Sequence, residues 1–193
     1  MPCRKVNSGK NMVAGGCHNK SHNGDLTDMA EQVQPAGDGS RASDDASEVL
    51  RLVRQARFAT LATLDAKDGK PFASLVNLAV LPDAKPLILI SSLARHTSNL
   101  RADDAASLLL ADGAAPGGDP LAGSRVTLCG RFRQLNDNTE IQAAREVFVR
   151  LHPAAASYAG FGDFGWWVME IDTAHLVAGF GRIRTLKADE IQA

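Results

Sequence analysis

LILISSLARHTSNLRADDAASLLL, Leu87–Leu110, sets a short polar stretch between two strongly apolar runs. Leu87–Ile90 and Ser107–Ala111 have strand length and are rich in aliphatic residues, so each predicts a buried β-strand. Between them, Ser91 to Thr97 gathers hydroxyls, a guanidinium and an imidazole. A phosphate monoester suits that chemistry. Arg95 can grip phosphate oxygens through its planar fork, and Ser91, Ser92 and Thr97 can each donate a hydrogen bond. A short helix starting near Thr97 would add oriented backbone N–H groups. Basic and hydroxyl residues also crowd ordinary solvated turns, so these residues alone leave both a ligand loop and a surface turn open.

Upstream, Phe58–Leu64 mixes β-branched and apolar residues, Asp68-Gly69 marks a tight turn and Pro71–Leu81 supplies a second strand, which together predict a hairpin. Before it, Ser43 is a candidate N-cap, with Ala46, Val49, Leu50 and Val53 at helical spacing along one face. Downstream, Gly113–Gly123 is a run of Gly, Ala, Pro and Asp that predicts a mobile connection able to close over a ligand. Arg125 to Leu135 then alternates. Val126, Leu128, Gly130 and Phe132 fall on a core face, while Arg125, Thr127, Cys129, Arg131 and Arg133 fall on a partly wet one. Asp137 and Glu140 have capping-box spacing ahead of an amphipathic helix over Asn138–His152, which Pro153 ends. Trp166–Ile171 and Leu176–Phe180 add two further strands, bringing the pattern to about six strands and two main helices. Short turns between most of the strands disfavour a parallel sheet, and a small closed barrel removes the exposed edges.

With 193 residues and 45% hydrophobic content, the chain suffices for one compact domain. Residues 1–42 are rich in Gly, Ser, Asn, Lys and Asp without apolar periodicity and are expected to be a disordered tail; residues 43–186 form the domain and 187–193 a C-terminal tail. A net charge of −1 without a basic face excludes a general nucleic-acid binder. The apolar runs are strand-length and no secretory segment is visible, so no membrane partner is expected and the cytoplasm is the expected location. Three cysteines at irregular spacing make a poor disulfide framework, and Cys17, His18 and His22 lack a second ligand pair, so no metal site is predicted. Ser-His-Asp, paired-carboxylate, P-loop and zinc constellations are all missing, which leans away from hydrolases.

Ser91-Ser92-Leu93-Ala94-Arg95-His96-Thr97, followed by Asn99-Leu100 and Ala106-Ser107-Leu108-Leu109, resembles the FMN-phosphate loop and following strand of the pyridoxamine 5′-phosphate oxidase-like split-barrel flavoproteins. Tyr158 to Phe164 (YAGFGDF) and Val177 to Arg182 (VAGFGR) are similar to the subgroup of that family concerned with haem utilisation. Together these stretches extend over about Arg57 to Arg184.

The resemblance implies a mainly β fold with flanking helices: a six-stranded antiparallel split β-barrel of the FMN-binding type. It implies FMN as cofactor. Ile90, Ser91, Arg95, His96 and Thr97 would lie around its phosphate, the strand Ser74-Leu75-Val76-Asn77 would lie along the isoalloxazine edge, and Arg125 would approach the ring from the strand after the mobile connection. It further implies a homodimer with flavin sites at the subunit interface and an FMN-dependent oxidoreductase acting on a small molecule, the flavin itself carrying the electrons. No catalytic residue is assigned. Phe148, His152 and Ala156 stand where relatives that oxidise vitamin B6 carry a Tyr, Arg and Ser set for the substrate phosphate, which disfavours that substrate. Two alternatives remain open: a haem-binding or haem-degrading protein with His96, His152 or His175 as axial ligand, and a flavin-binding protein without turnover.

Overall fold

The computed structural model describes residues 38–112, 118–119, 121–179 and 181–191. Seven antiparallel strands run β1 (Phe58–Leu64), β2 (Pro71–Val80), β3 (Pro86–Ser91), β4 (Ala105–Ala111), β5 (Arg125–Gln134), β6 (Phe164–Val177) and β7 (Ile183–Lys187). In space the order is β3-β2-β1-β4-β5-β6-β7, and a further pairing of β3 with β6 closes the first six into a barrel. β7 is an added edge on the C-terminal half of β6.

Alternation makes the barrel. Ala59, Leu61, Val76, Leu78, Leu108, Leu110, Val126, Leu128 and Phe132 turn inward and are buried, and their neighbours along the strand turn out. Gly130 is inward too, at a bulge where β5 shifts register between Cys129 and Gly130; a side chain there would run into the carbonyl oxygen of Glu170. Helix α1 (Asp38–Gln55) adds Val49, Leu52 and Val53 to this core. β3 is buried on both faces, because its outward Leu87 and Leu89 pack with Ala144 and Phe148 of α3 (Asn138–Leu151) in a second cluster. Phe148 meets Trp166 edge to face at 5.5 Å. That double burial explains why Leu87–Ile90 carries no alternation.

The barrel with flanking helices agrees with the expectation, and several local expectations need correction. Helix α1 begins at Asp38, ahead of the expected cap at Ser43. Asp137 does cap α3, accepting from the N–H groups of Thr139 and Glu140, but Glu140 turns to Arg133 and does not close a capping box. Trp166–Ile171 and Leu176 belong to one continuous strand, and the last strand is Ile183–Lys187. Ala188–Ile191, expected within the tail, form α4, whose Ile191 is buried in the core. The expected tail over residues 1–37, with Cys17, His18 and His22, lies outside the described residues, as do 113–117 and 120 of the expected mobile connection and Phe180. No helix among the described residues is long and apolar enough to cross a membrane.

Candidate functional site

The loop after β3 leads into a short helix, α2 (Arg95–Ala102), which lies at the end of the barrel where β1 finishes. On its β1 and β2 side the contacts are dense. Arg95 Nε donates to Asp65 Oδ2 at 2.5 Å, and its guanidinium lies 4.6 Å from the centre of the Phe72 ring. Asp65 also accepts from the Lys67 N–H, and the Arg95 guanidinium beside it holds its carboxyl below the usual carboxylate range. Asn99 accepts from the Ala66 N–H at 3.0 Å and donates to the Thr63 hydroxyl at 2.9 Å. His96 Nδ1 sits 3.0 Å from Ser74 Oγ, and burial pushes its pKa down, which favours the neutral imidazole.

On the other side, two of the three hydroxyls expected to face a phosphate are committed within the fold. Thr97 donates to the Ser91 carbonyl at 2.6 Å, and Ser91 donates to Asp163 Oδ2 at 2.7 Å while accepting from the Leu93 N–H. Ile90 and Val76 place their side chains in the core, leaving only backbone for a ligand; Leu75 and Asn77 point outward. The structure therefore brings Ser74, Arg95 and His96 together and places Ser91, Ile90 and Thr97 on the opposite flank of α2. Arg125 stands apart. It lies level with Ala111, the length of β1 from Arg95, roughly 20 Å away within one chain.

Arg125 belongs to the outer face of the sheet. Register aligns Leu75, Thr60, Leu109, Thr127, His175 and Thr185 in one outward row across six strands. His175 Nδ1 is 2.9 Å from Thr185 Oγ1, which leaves Nε2 without a partner among the described residues. Arg125, two residues before Thr127 on β5, donates to the Leu121 carbonyl at 3.1 Å. Large apolar side chains stud this face: Leu75 is 71% exposed, Phe58 and Ile183 are 63% exposed, and Leu109 is 44% exposed. A cleft of about 400 Å³ runs beside them, between the end of α1 and Phe58, Thr60, Leu109 and Ala111. Of the other candidate histidines, His152 spends Nε2 on the Leu78 carbonyl at 2.8 Å and packs against Phe148, a structural role.

Asp65, Asp163 and the His175–Thr185 pair were not legible as site features. Asp65 and Arg95 are far apart in sequence, and a lone Asp after a strand carries no signal beyond a turn. The sequence offers His175 as one of three candidate histidines, and its outward register beside Thr127 depends on the bulge at Cys129/Gly130.

The family described as CREG, beta-barrel matches residues 40–192. The chain is 33% identical over 114 residues to the chloroplastic non-canonical heme oxygenase HOZ of Arabidopsis thaliana, a match covering 58% of this chain and 33% of that protein. The chain thus spans about a third of the length of this curated relative. A solved heme binding protein from Mycobacterium smegmatis superposes with a TM-score of 0.70 at 31% identity, covering 78% of this chain and 60% of that one. A member of the pyridoxinephosphate oxidase family from Clostridium acetobutylicum, related to general stress protein 26, superposes with a TM-score of 0.61 at 14% identity, over 77% of this chain and 98% of that one, a likeness of fold alone.

Proposed function

This chain belongs to the CREG β-barrel family, and from that premise we propose that it binds haem on the outer face of its barrel and works as a twofold dimer through that face. The observation that carries the reading is His175. An imidazole that ligates a metal normally has its second nitrogen fixed by a neighbour, and the Thr185 hydroxyl fixes Nδ1 here while Nε2 stays available. Arg125 is the diagonal neighbour of His175 on the same face, about 7–8 Å away between backbones, within reach of a propionate carboxylate. Leu109, Ile183 and the adjoining cleft supply apolar surface for a flat macrocycle. Bound there, haem would supply a redox-active iron, and the protein would hold the iron, orient the propionates and shield one face of the ring. Relatives named as a haem oxygenase and a haem-binding protein, both above 30% identity, support the ligand class. Exposed Leu75, Phe58 and Leu109 support the dimer, since a contiguous apolar patch on a sheet face marks an interaction surface.

A second reading, an FMN-binding flavoprotein transferring electrons to a small molecule, is favoured by one observation. Arg95 spends only Nε on Asp65, so its two terminal nitrogens remain for phosphate beside His96 and Ser74. Against it, the Asp65 carboxylate offsets the Arg95 charge and the neutral His96 adds none. Absorbance titrations with haemin and with FMN separate the two. Under the haem reading, haemin gives a saturable Soret band that His175→Ala weakens at least tenfold and Arg95→Ala leaves unchanged. Saturable FMN binding lost in Arg95→Ala, with no haemin binding, would replace this reading with the flavin one.

A further inference from the structure

Trp167 holds the one side-chain polar atom that is buried without a hydrogen-bond partner among the described residues, its indole Nε1–H. Native interiors seldom keep such a donor unsatisfied, because its desolvation is then uncompensated. Trp167 is 4% exposed and sits on β6 opposite Ile88 of β3 and Gln134 of β5. It borders a cavity of about 230 Å³ on the flank of α2 away from Arg95 and His96, several times the roughly 30 Å³ that one water takes up. The polar groups on its wall are Ser92, Thr97, Arg101, Gln134 and Asp163.

Gly165 keeps this space open. A methyl group there would come within 2.9 Å of Gln134 Nε2 and 3.3 Å of Trp167 Nε1, so both nitrogens border the same volume. Neither the Gln134 amide nor the Arg101 guanidinium has a side-chain partner among the described residues, whereas Thr97 and Ser91 are committed elsewhere. Three uncommitted donors, one of them cationic, therefore share a wall with one carboxylate, Asp163, which accepts from Ser91 through a single oxygen. Donors grouped around a cation suit an anionic acceptor, and the carboxylate suits a cationic donor in return.

We propose that this cavity is a binding site for a small amino acid, its carboxylate held by Trp167 Nε1–H, Gln134 and Arg101 and its ammonium by Asp163. The site is separate from the outer face and independent of which cofactor binds there. Binding requires no covalent step.

The chain has two tryptophans, so its ¹H–¹⁵N spectrum carries two indole resonances, and Trp167→Phe assigns them. The full-length protein is titrated with glycine, L-alanine and L-serine, and with sodium acetate and sodium chloride at matched ionic strength. At least one amino acid should shift the Trp167 indole resonance saturably while the Trp166 resonance stays in place. Acetate should bind at least tenfold more weakly, having nothing for Asp163. Arg101→Met, a surface change, and Gly165→Ala, whose methyl group crowds the Gln134 amide and the Trp167 indole nitrogen, should each weaken binding at least tenfold with the rest of the spectrum retained. A Trp167 resonance that none of the amino acids moves saturably, or that chloride moves equally, would mean that water alone satisfies the donor and would overturn the proposal. Equal affinity for acetate would overturn the amino-acid assignment.

Discussion

Leu108 and Leu109 are neighbours in β4, yet the first is fully buried inside the barrel and the second is 44% exposed on its outer face. The same contrast runs round the sheet, with Leu61, Leu78, Leu128 and Leu176 inside and Phe58, Leu75 and Ile183 outside. An apolar side chain inside contributes to the fold of one chain. One outside contributes less to that fold, and several grouped on one face mark an interaction surface. Period-two alternation along each strand separates the two roles residue by residue, and substitution at adjacent positions can test each role alone.

The largest effect belongs to the inside. Leu108→Ala leaves a cavity among Leu61, Leu128 and their neighbours and should destabilise the protein by about 2–5 kcal/mol in urea unfolding, whereas Leu109→Ala should stay within roughly 0.5 kcal/mol when measured on the monomer. Equal losses at the two positions would break the contrast. The outside answers to association instead. A Leu75→Glu, Leu109→Glu double variant places like charges on the apolar face through which the proposed dimer would form, and should weaken that dimer roughly 100-fold in sedimentation equilibrium. Its monomer should unfold at the wild-type midpoint. A variant that remains dimeric would move the interface off this face.

How much the sequence disclosed follows the same division. Inward positions of β5 were legible because alternation is a local signal, β1 and β2 were legible as the strands of a hairpin, and β3 was legible as an apolar run because burial on both faces demands one. β6 was not. Over its 14 residues it pairs with β3, β5 and β7 in turn, and the bulge at Cys129/Gly130 resets which residues face inward, so no single period spans it. β7, IRTLK, is short and charged, with Leu186 its only buried residue. At the barrel end, Arg95 and His96 were expected at a phosphate and Ser74 along a flavin ring edge, whereas His96 and Ser74 lie in direct contact and the carboxylate that claims Arg95 comes from Asp65, which could not be inferred from spacing. The unsatisfied Trp167 N–H had no sequence signature either. An indole in a strand reads as core, and only the register of β5 against β6 places it beside Gln134.

Between inside and outside runs a charged seam, and it carries the smallest effect. Arg51 of α1 bridges Glu48 at 2.8 Å and Asp112, just past β4, at 2.6 Å. The Arg51 guanidinium, helped by a hydrogen bond from Ser124, lowers the Glu48 carboxyl to about 2. In the unfolded chain the same carboxyl titrates near 4.3. Because the folded value is the lower one, the ionised pair stabilises the fold fully above about pH 5, and that contribution is lost as pH falls towards about 2. Solvent reaches both partners, so the contribution is about 1 kcal/mol at neutral pH. Glu48→Gln should therefore unfold at lower urea than wild type at pH 7, and the gap should narrow steadily between pH 5 and pH 3. A gap independent of pH over that range would mean that Glu48 acts through packing and not through its charge. The seam would then be an extension of the barrel interior, with α1 held by Val49, Leu52 and Val53 alone.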